Sequence, residues 1–158
     1  MSQTICRVQW RSSPINSEKL NHKPQPLISK MQFIADTDSG HTIIMDGAID
    51  GGGANLAPRP MELLLAGAGG CTAYDVVHIL QKGRHQVTGC EVLLTATRQE
   101  HDPKVFIQLH LDFIVSGLDL NEQAVKRAVE LSHEKYCSAI AMLVKTATIS
   151  HNINVVQV

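Results

Sequence analysis

Pro58-Arg59-Pro60-Met61-Glu62-Leu63-Leu64-Leu65-Ala66-Gly67-Ala68-Gly69-Gly70-Cys71 opens the stretch that decides the fold. Proline suits a first helical turn, where its missing N–H would have no intrahelical acceptor in any case. Leu63, Leu64, Leu65, Ala66, Ala68, Val76, Val77, Ile79 and Leu80 come next with almost no charge, and Gly83 stands where a helix would stop. The spacing predicts one long helix, apolar on nearly every side and therefore buried. Gly67, Gly69 and Gly70 each cost a helix roughly 1 kcal/mol relative to alanine, a cost that close approach of another backbone can offset. A helix this apolar is hard to cover within one subunit of 158 residues. A dimer that shares its core is the expected solution.

Strand patterns lie on either side. Residues 4–10 alternate, with Cys6, Val8 and Trp10 on one face. Residues 12–30 hold Pro14, Pro24 and Pro26 among Ser, Asn and Lys and read as a loop or insertion. Residues 31–36 and 41–46 enclose Thr37-Asp38-Ser39-Gly40 and predict a β-hairpin. Residues 47–59 read as a flexible connection, and Gly51-Gly52-Gly53 lacks the Lys-Ser/Thr that a phosphate-binding loop needs. Beyond the helix, residues 90–99 predict a strand. Val105, Ile107, Leu109, Leu111, Phe113 and Val115 predict another at strict period two. Residues 121–135 predict an amphipathic helix with Asp119 as its cap and Glu122 as capping-box partner. A second apolar helix over 138–147 and a strand over 148–157 close the chain. This order gives an α+β fold, not a doubly wound one, in a single domain of residues 1–158.

Composition narrows the function. The formal net charge of −1 favours neither nucleic acid nor an anionic membrane as partner. Met1 to Trp10 has no apolar core of the kind a signal peptide carries. No uninterrupted apolar run reaches the length of a membrane span. The cytoplasm is therefore the expected location, and in a reducing compartment four cysteines are more often reactive, metal-binding or buried than bridged.

Cys71 sits in the middle of the predicted helix, with Asp75 at i+4 and His78 at i+7 on the same face. A free thiol is only a few per cent ionised at neutral pH, so reactivity needs a nearby cation. The helix dipole fades beyond the first turn and gives Cys71 little help. Cys137 lies in Glu134-Lys135-Tyr136-Cys137-Ser138, at a junction of two helices whose free N–H groups can lower a thiol pKa. On spacing alone, each of the two reads equally as a buried core thiol. Cys6 and Cys90 sit in strand patterns and read as packing. No C-x-x-C or H-E-x-x-H spacing occurs, so no metal site is expected. His110 and Asp112 share a strand face and read as solvated, and no G-x-S-x-G elbow supports a serine hydrolase.

The run Pro58 to Cys71 resembles the first-cysteine helix of the OsmC/Ohr family, and Glu134 to Ser138 resembles its second-cysteine segment. Ser39-Gly40-His41 to Met45-Asp46-Gly47 is similar to the hairpin of a less-characterised OsmC-like branch. The likeness runs from about residue 31 to the C-terminus, plus the first strand. It implies an OsmC-like fold: an intertwined homodimer with a central buried helix wrapped by antiparallel sheets. It also implies a thiol-dependent peroxide reductase acting on an organic hydroperoxide or hydrogen peroxide. In that cycle Cys71 attacks, Cys137 resolves and a thiol or dithiol reductant restores both, with no metal, flavin or haem. The family's glutamate, which steadies its activating arginine, directly succeeds the helix proline; here Met61 stands in that place and Glu62 is one residue later, a turn of about 100° around the helix. Arg11 is the nearest match to the family's activating arginine, with Arg59 an alternative by proximity. A non-enzymatic dimeric module, binding a small molecule or sensing redox state, is the reading that competes with the enzyme.

Overall fold

The computed structural model describes residues 3–11, as backbone, and residues 30–158. The predicted insertion over 12–30 lies almost wholly outside them. The chain forms two compact units, one holding the first strand and Leu65–Val158, the other Ile15–Leu64.

The larger unit is built on a four-stranded sheet of β1 (Gln3–Arg11), β4 (Gln86–Arg98), β5 (Phe106–Leu118) and β6 (Thr148–Gln157), in the order β1-β4-β5-β6. The first three pair antiparallel. The last joins β5 in parallel, so the sheet is mixed. Parallel neighbours need a crossover, and here α2 (Glu122–Leu131), a π-helical turn (Ser132–Tyr136) and α3 (Ser138–Leu143) supply it. Everything that positions Cys137 belongs to that crossover.

Period-two alternation sends Cys90, Val92, Leu94 and Ala96 of β4, and Leu109, Leu111, Phe113 and Val115 of β5, into the core. The pattern predicted from Val105 breaks at its start. The register shifts between Thr97 and Arg98, so Phe106 is buried and Ile107 only half-buried. A second shift between Val87 and Gly89 likewise buries Val87 in place of Thr88. Each extra residue flips the faces of the residues beyond it.

The long helix α1 runs Pro60–Lys82 as its pattern predicts. Length and composition alone would let it cross a bilayer, but Leu65, Ala68, Ala73, Val76, Val77 and Leu80 are core residues. Burial is one-sided: Leu64 and Tyr74 remain 48% and 68% exposed. Gly67 and Gly70 face open space, where an added Cβ would meet nothing among the described residues. At the helix end His85 N donates to Leu80 O and Arg84 N to Gln81 O, the pair of bonds of a Schellman cap. The left-handed residue there is Arg84 (φ 60°), not the expected Gly83. A Cβ at Gly83 would press on the His85 ring, which would have to turn aside.

The smaller unit carries the predicted hairpin, β2 (Gln32–Asp36) with β3 (Thr42–Asp46). The connection after it is better ordered than its glycines suggest. The buried Asp46 carboxylate accepts from Gly47 N, Ala54 N and Leu56 N at 2.8, 3.1 and 3.1 Å. Gly53 is required because a Cβ would run into the Gly47 backbone.

The cap of α2 differs from the expected one. Asn121, not Asp119, holds the N-cap and accepts from Ala124 N at 3.0 Å, while Asp119 takes a left-handed turn (φ 47°) two residues earlier. Asn121→Ala is expected to lower stability by about 1 kcal/mol and Asp119→Asn to leave it nearly unchanged, both read by urea denaturation. Equal losses at the two positions would contradict this capping.

Candidate functional site

Successive turns of α1 carry Cys71 and Asp75 on one face, because residues four apart lie one above the other. Facing them is the end of the crossover. After Leu131 the chain takes one wider π-helical turn, closed by Cys137 N donating to Ser132 O at 2.8 Å. Such turns recur at functional sites. A wider turn re-aims the side chains beyond it, and the first of those here is Cys137. The two sulfur atoms and an Asp75 carboxylate oxygen all lie within 4.8 Å of one another. Cys71 and Cys137 are 137 − 71 = 66 residues apart in sequence.

A buried hydrogen-bond chain holds this arrangement. The Ser132 hydroxyl donates to Asp75 Oδ2 at 3.0 Å. Its oxygen lies 2.9 Å from Thr72 Oγ1. A hydroxyl has one hydrogen, and that of Ser132 is committed to the carboxylate, so Thr72 is the donor in the second bond. Thr72 and Ser132 are both fully buried, and a buried polar pair is retained only when satisfied.

The two thiols are not equivalent. Cys71 is half-buried and Cys137 is buried. Burial pushes the Cys137 thiol up to about 12, the Ile140 backbone N–H pulls the other way, and the Cys71 thiol and the Asp75 charge add to the rise. The helix junction was expected to lower this thiol; desolvation outweighs its N–H. Cys90, in the sheet core as expected, is also pushed up to about 12 by burial. Beyond Ser132, His133 packs against Phe113 and edge-on to His151, with ring centroids 5.9 and 4.8 Å away. Its Nε2 is buried without a partner. Burial first, then His151, lowers its pKa to about 4, so it is a neutral packing group at physiological pH.

Other expected site residues lie elsewhere. Glu62 caps its own helix: Oε2 accepts from Arg59 N at 3.0 Å, and Oε1 takes the Arg59 guanidinium at 3.0 Å. The same guanidinium donates to Asn55 Oδ1 at 3.3 Å. The Arg11 side chain, like that of Cys6, lies outside the described residues; the Arg11 backbone ends β1 opposite Gly89. His78 stacks on Tyr74 with ring centroids 5.7 Å apart and does not join the cysteines.

His110 has more company than its strand suggests. Its Nδ1 lies 2.7 Å from Ser150 Oγ, and its Nε2 lies 3.2 Å from Asp112 and 3.1 Å from Asn152 Nδ2. Ser150 and Asn152 come from β6, opposite His110 and Asp112 in the parallel register, which sequence spacing does not reveal. Both His110 and Asp112 are over a third exposed, so this pair is solvent-screened and contributes little.

Comparison with known proteins agrees with the fold. Residues 51–152 match the family model of the OsmC-like protein. Protein YhfA of Escherichia coli strain K12 is 50% identical over 129 residues, covering 82% of this chain and 93% of its own length. The crystal structure of a hypothetical protein from Aquifex aeolicus VF5 is 32% identical, with a TM-score of 0.72 over 84% of this chain and 93% of that one. An organic hydroperoxide resistance protein from Legionella pneumophila shares the fold at 15% identity, with a TM-score of 0.55 over 82% of this chain and 99% of that one.

The unequal thiols give an order of labelling. In native protein at about pH 8, iodoacetamide should modify Cys71 first and leave Cys137 and Cys90 unlabelled until the chain is denatured, because only the thiolate reacts. Peptide mass spectrometry reads the order. Labelling of Cys137 as fast as Cys71 in folded protein would refute the burial argument.

Proposed function

The chain belongs to the OsmC-like protein family, and on that premise we propose that it is a thiol-dependent peroxide reductase. The observation that carries this reading is the meeting of a half-buried Cys71 with a buried Cys137, their sulfurs within 4.8 Å. The Legionella relative is an organic hydroperoxide resistance protein, which supports the substrate class.

Cys71 is the attacking group because it is the more accessible thiol. Its thiolate attacks the distal peroxide oxygen and displaces the alkoxide: an S–O bond forms, the O–O bond breaks, and the released alkoxide takes a proton to leave as alcohol. Cys71 is now a sulfenic acid. Cys137, kept protonated by burial, is the resolving group. Its sulfur attacks the sulfenic sulfur, the disulfide forms and water leaves with the Cys137 proton. The adjacent Asp75 carboxylate is placed to receive that proton in transit. An external thiol or dithiol reduces the disulfide by exchange and is itself oxidised. The sulfurs must close to about 2.05 Å, a movement that the turn before Cys137 can supply.

The cation that ionises Cys71 is assigned to Arg11 in preference to Arg59, whose guanidinium is occupied by Glu62 and Asn55. Glu62 acts as the cap of α1 in this reading, not as the arginine's anchor. The active form is a homodimer in the reducing cytoplasm. The open space beside Gly67 and Gly70 and the exposed Leu64 and Tyr74 support a second copy against α1.

Cumene hydroperoxide added at one equivalent should yield a Cys71–Cys137 disulfide by mass spectrometry. Cys137→Ser should accumulate sulfenic acid on Cys71. Cys71→Ser should slow peroxide consumption by roughly 10³-fold or more. Arg11→Ala should slow it by about tenfold or more, with Arg59→Ala much milder. Unchanged wild-type thiols would overturn the peroxidase reading and favour a ligand-binding or redox-sensing module. Sedimentation at micromolar concentration should give a dimer, and a Gly70→Leu variant should weaken it; a stable wild-type monomer would exclude the shared core.

A further inference from the structure

We propose that Cys71, Cys137 and Asp75 also form a capture site for one thiophilic divalent cation of the zinc class. Two thiols and one carboxylate meet there, and their ligand atoms all lie within 4.8 Å of one another. Zinc takes thiolates at about 2.3 Å and carboxylate oxygens at about 2.0–2.2 Å in a tetrahedron, so ligand atoms around it stand about 3.5–3.8 Å apart. The three groups need to close by about an ångström, within the reach of small side-chain adjustments. They would leave the fourth position to water.

The carboxylate is held from behind by a hydrogen-bond chain. Ser132 fixes Asp75 Oδ2 at 3.0 Å, and Thr72 in turn holds Ser132 at 2.9 Å. Outer hydrogen bonds of this kind set ligand direction and strengthen metal sites. No motif spacing announces the site, because its ligands come from one face of α1 and from a turn about sixty residues later. Binding involves no redox change: the cation displaces the two thiol protons to solvent and each sulfur donates a lone pair to the metal. A bound Cys71 thiolate cannot attack an O–O bond, so the cation and peroxide compete for it. That last consequence rests on the peroxidase reading, while binding itself does not.

The test uses reduced full-length protein. Cobalt(II) should bind at one equivalent per chain and give a sulfur-to-cobalt charge-transfer band in the near ultraviolet, which zinc displaces. Cys71→Ser and Cys137→Ser should each lose the two-thiolate spectrum. Ser132→Ala should weaken zinc by about 10–100-fold in competition with a chromogenic chelator, and Asp75→Asn by at least as much. Circular dichroism checks that each variant is folded. Zinc should also protect wild-type Cys71 from alkylation, reversibly with a chelator, a measurement that needs no variant. Absence of the band in wild type, its survival in folded Cys71→Ser, or an alkylation rate indifferent to zinc would each overturn the capture site. Peroxide consumption by metal-free aliquots of the same protein separates the two ideas. Turnover without zinc binding removes the capture site alone, and zinc binding without turnover removes the peroxidase alone.

Discussion

One buried hydroxyl pair governs this molecule. Thr72 and Ser132, 60 residues apart, share a hydrogen bond in the interior, and Ser132 passes its own hydrogen to Asp75. Loss of Ser132 would leave a buried threonine hydroxyl without its acceptor and a carboxylate without its donor, each costing about 1–3 kcal/mol. The pair therefore fixes the rotation of α1 relative to the turn that ends at Cys137. Its consequence is chemical as much as structural, since that rotation brings the two sulfurs together.

The asymmetry of the cysteines arises from the same arrangement. The helix leaves Cys71 half-buried, while the π-helical turn ends at Cys137, the N-cap of α3, in a buried position. Desolvation holds a thiol in its neutral form. A neutral, sheltered sulfur is a poor first nucleophile and is protected from over-oxidation, yet it is near enough to close a bridge once its partner has been activated. In the proposed cycle, two residues of identical chemistry thus take different duties from their burial.

The elements were legible where periodicity was strong. The apolar run after Pro60 marks α1 at its start, the Thr37–Gly40 turn marks its hairpin, and residues 148–157 mark the last strand. Ends and caps were less legible because they depend on single hydrogen bonds. Asn121 and Asp119 both carry cap-type side chains, and only the backbone turn at Asp119 decides between them. The bulges at Val87–Gly89 and Thr97–Arg98 are invisible to an alternation pattern, which assumes an unbroken ladder. In the site, the cysteines could be named from the sequence, but their partners could not. Asp75 was visible as an i+4 neighbour, whereas Ser132 reaches it only through a turn whose width no local pattern specifies. Glu62 was a possible activator by resemblance although its position is offset by one residue, and its geometry is that of a helix cap.

The crossover also has a temporal meaning. A chain made from its N-terminus completes α1 long before the segment carrying Ser132 and Cys137 exists. During that interval the thiol of Cys71 and the apolar face around it have no mate, and nascent chains with such exposed surfaces are the ones prone to aggregate. The paired sulfurs come into being only when the last quarter of the chain has been synthesised and has crossed to the far edge of the sheet. A truncated or stalled product would therefore carry Cys71 without Cys137, the partner that the proposed cycle uses to resolve a sulfenic acid.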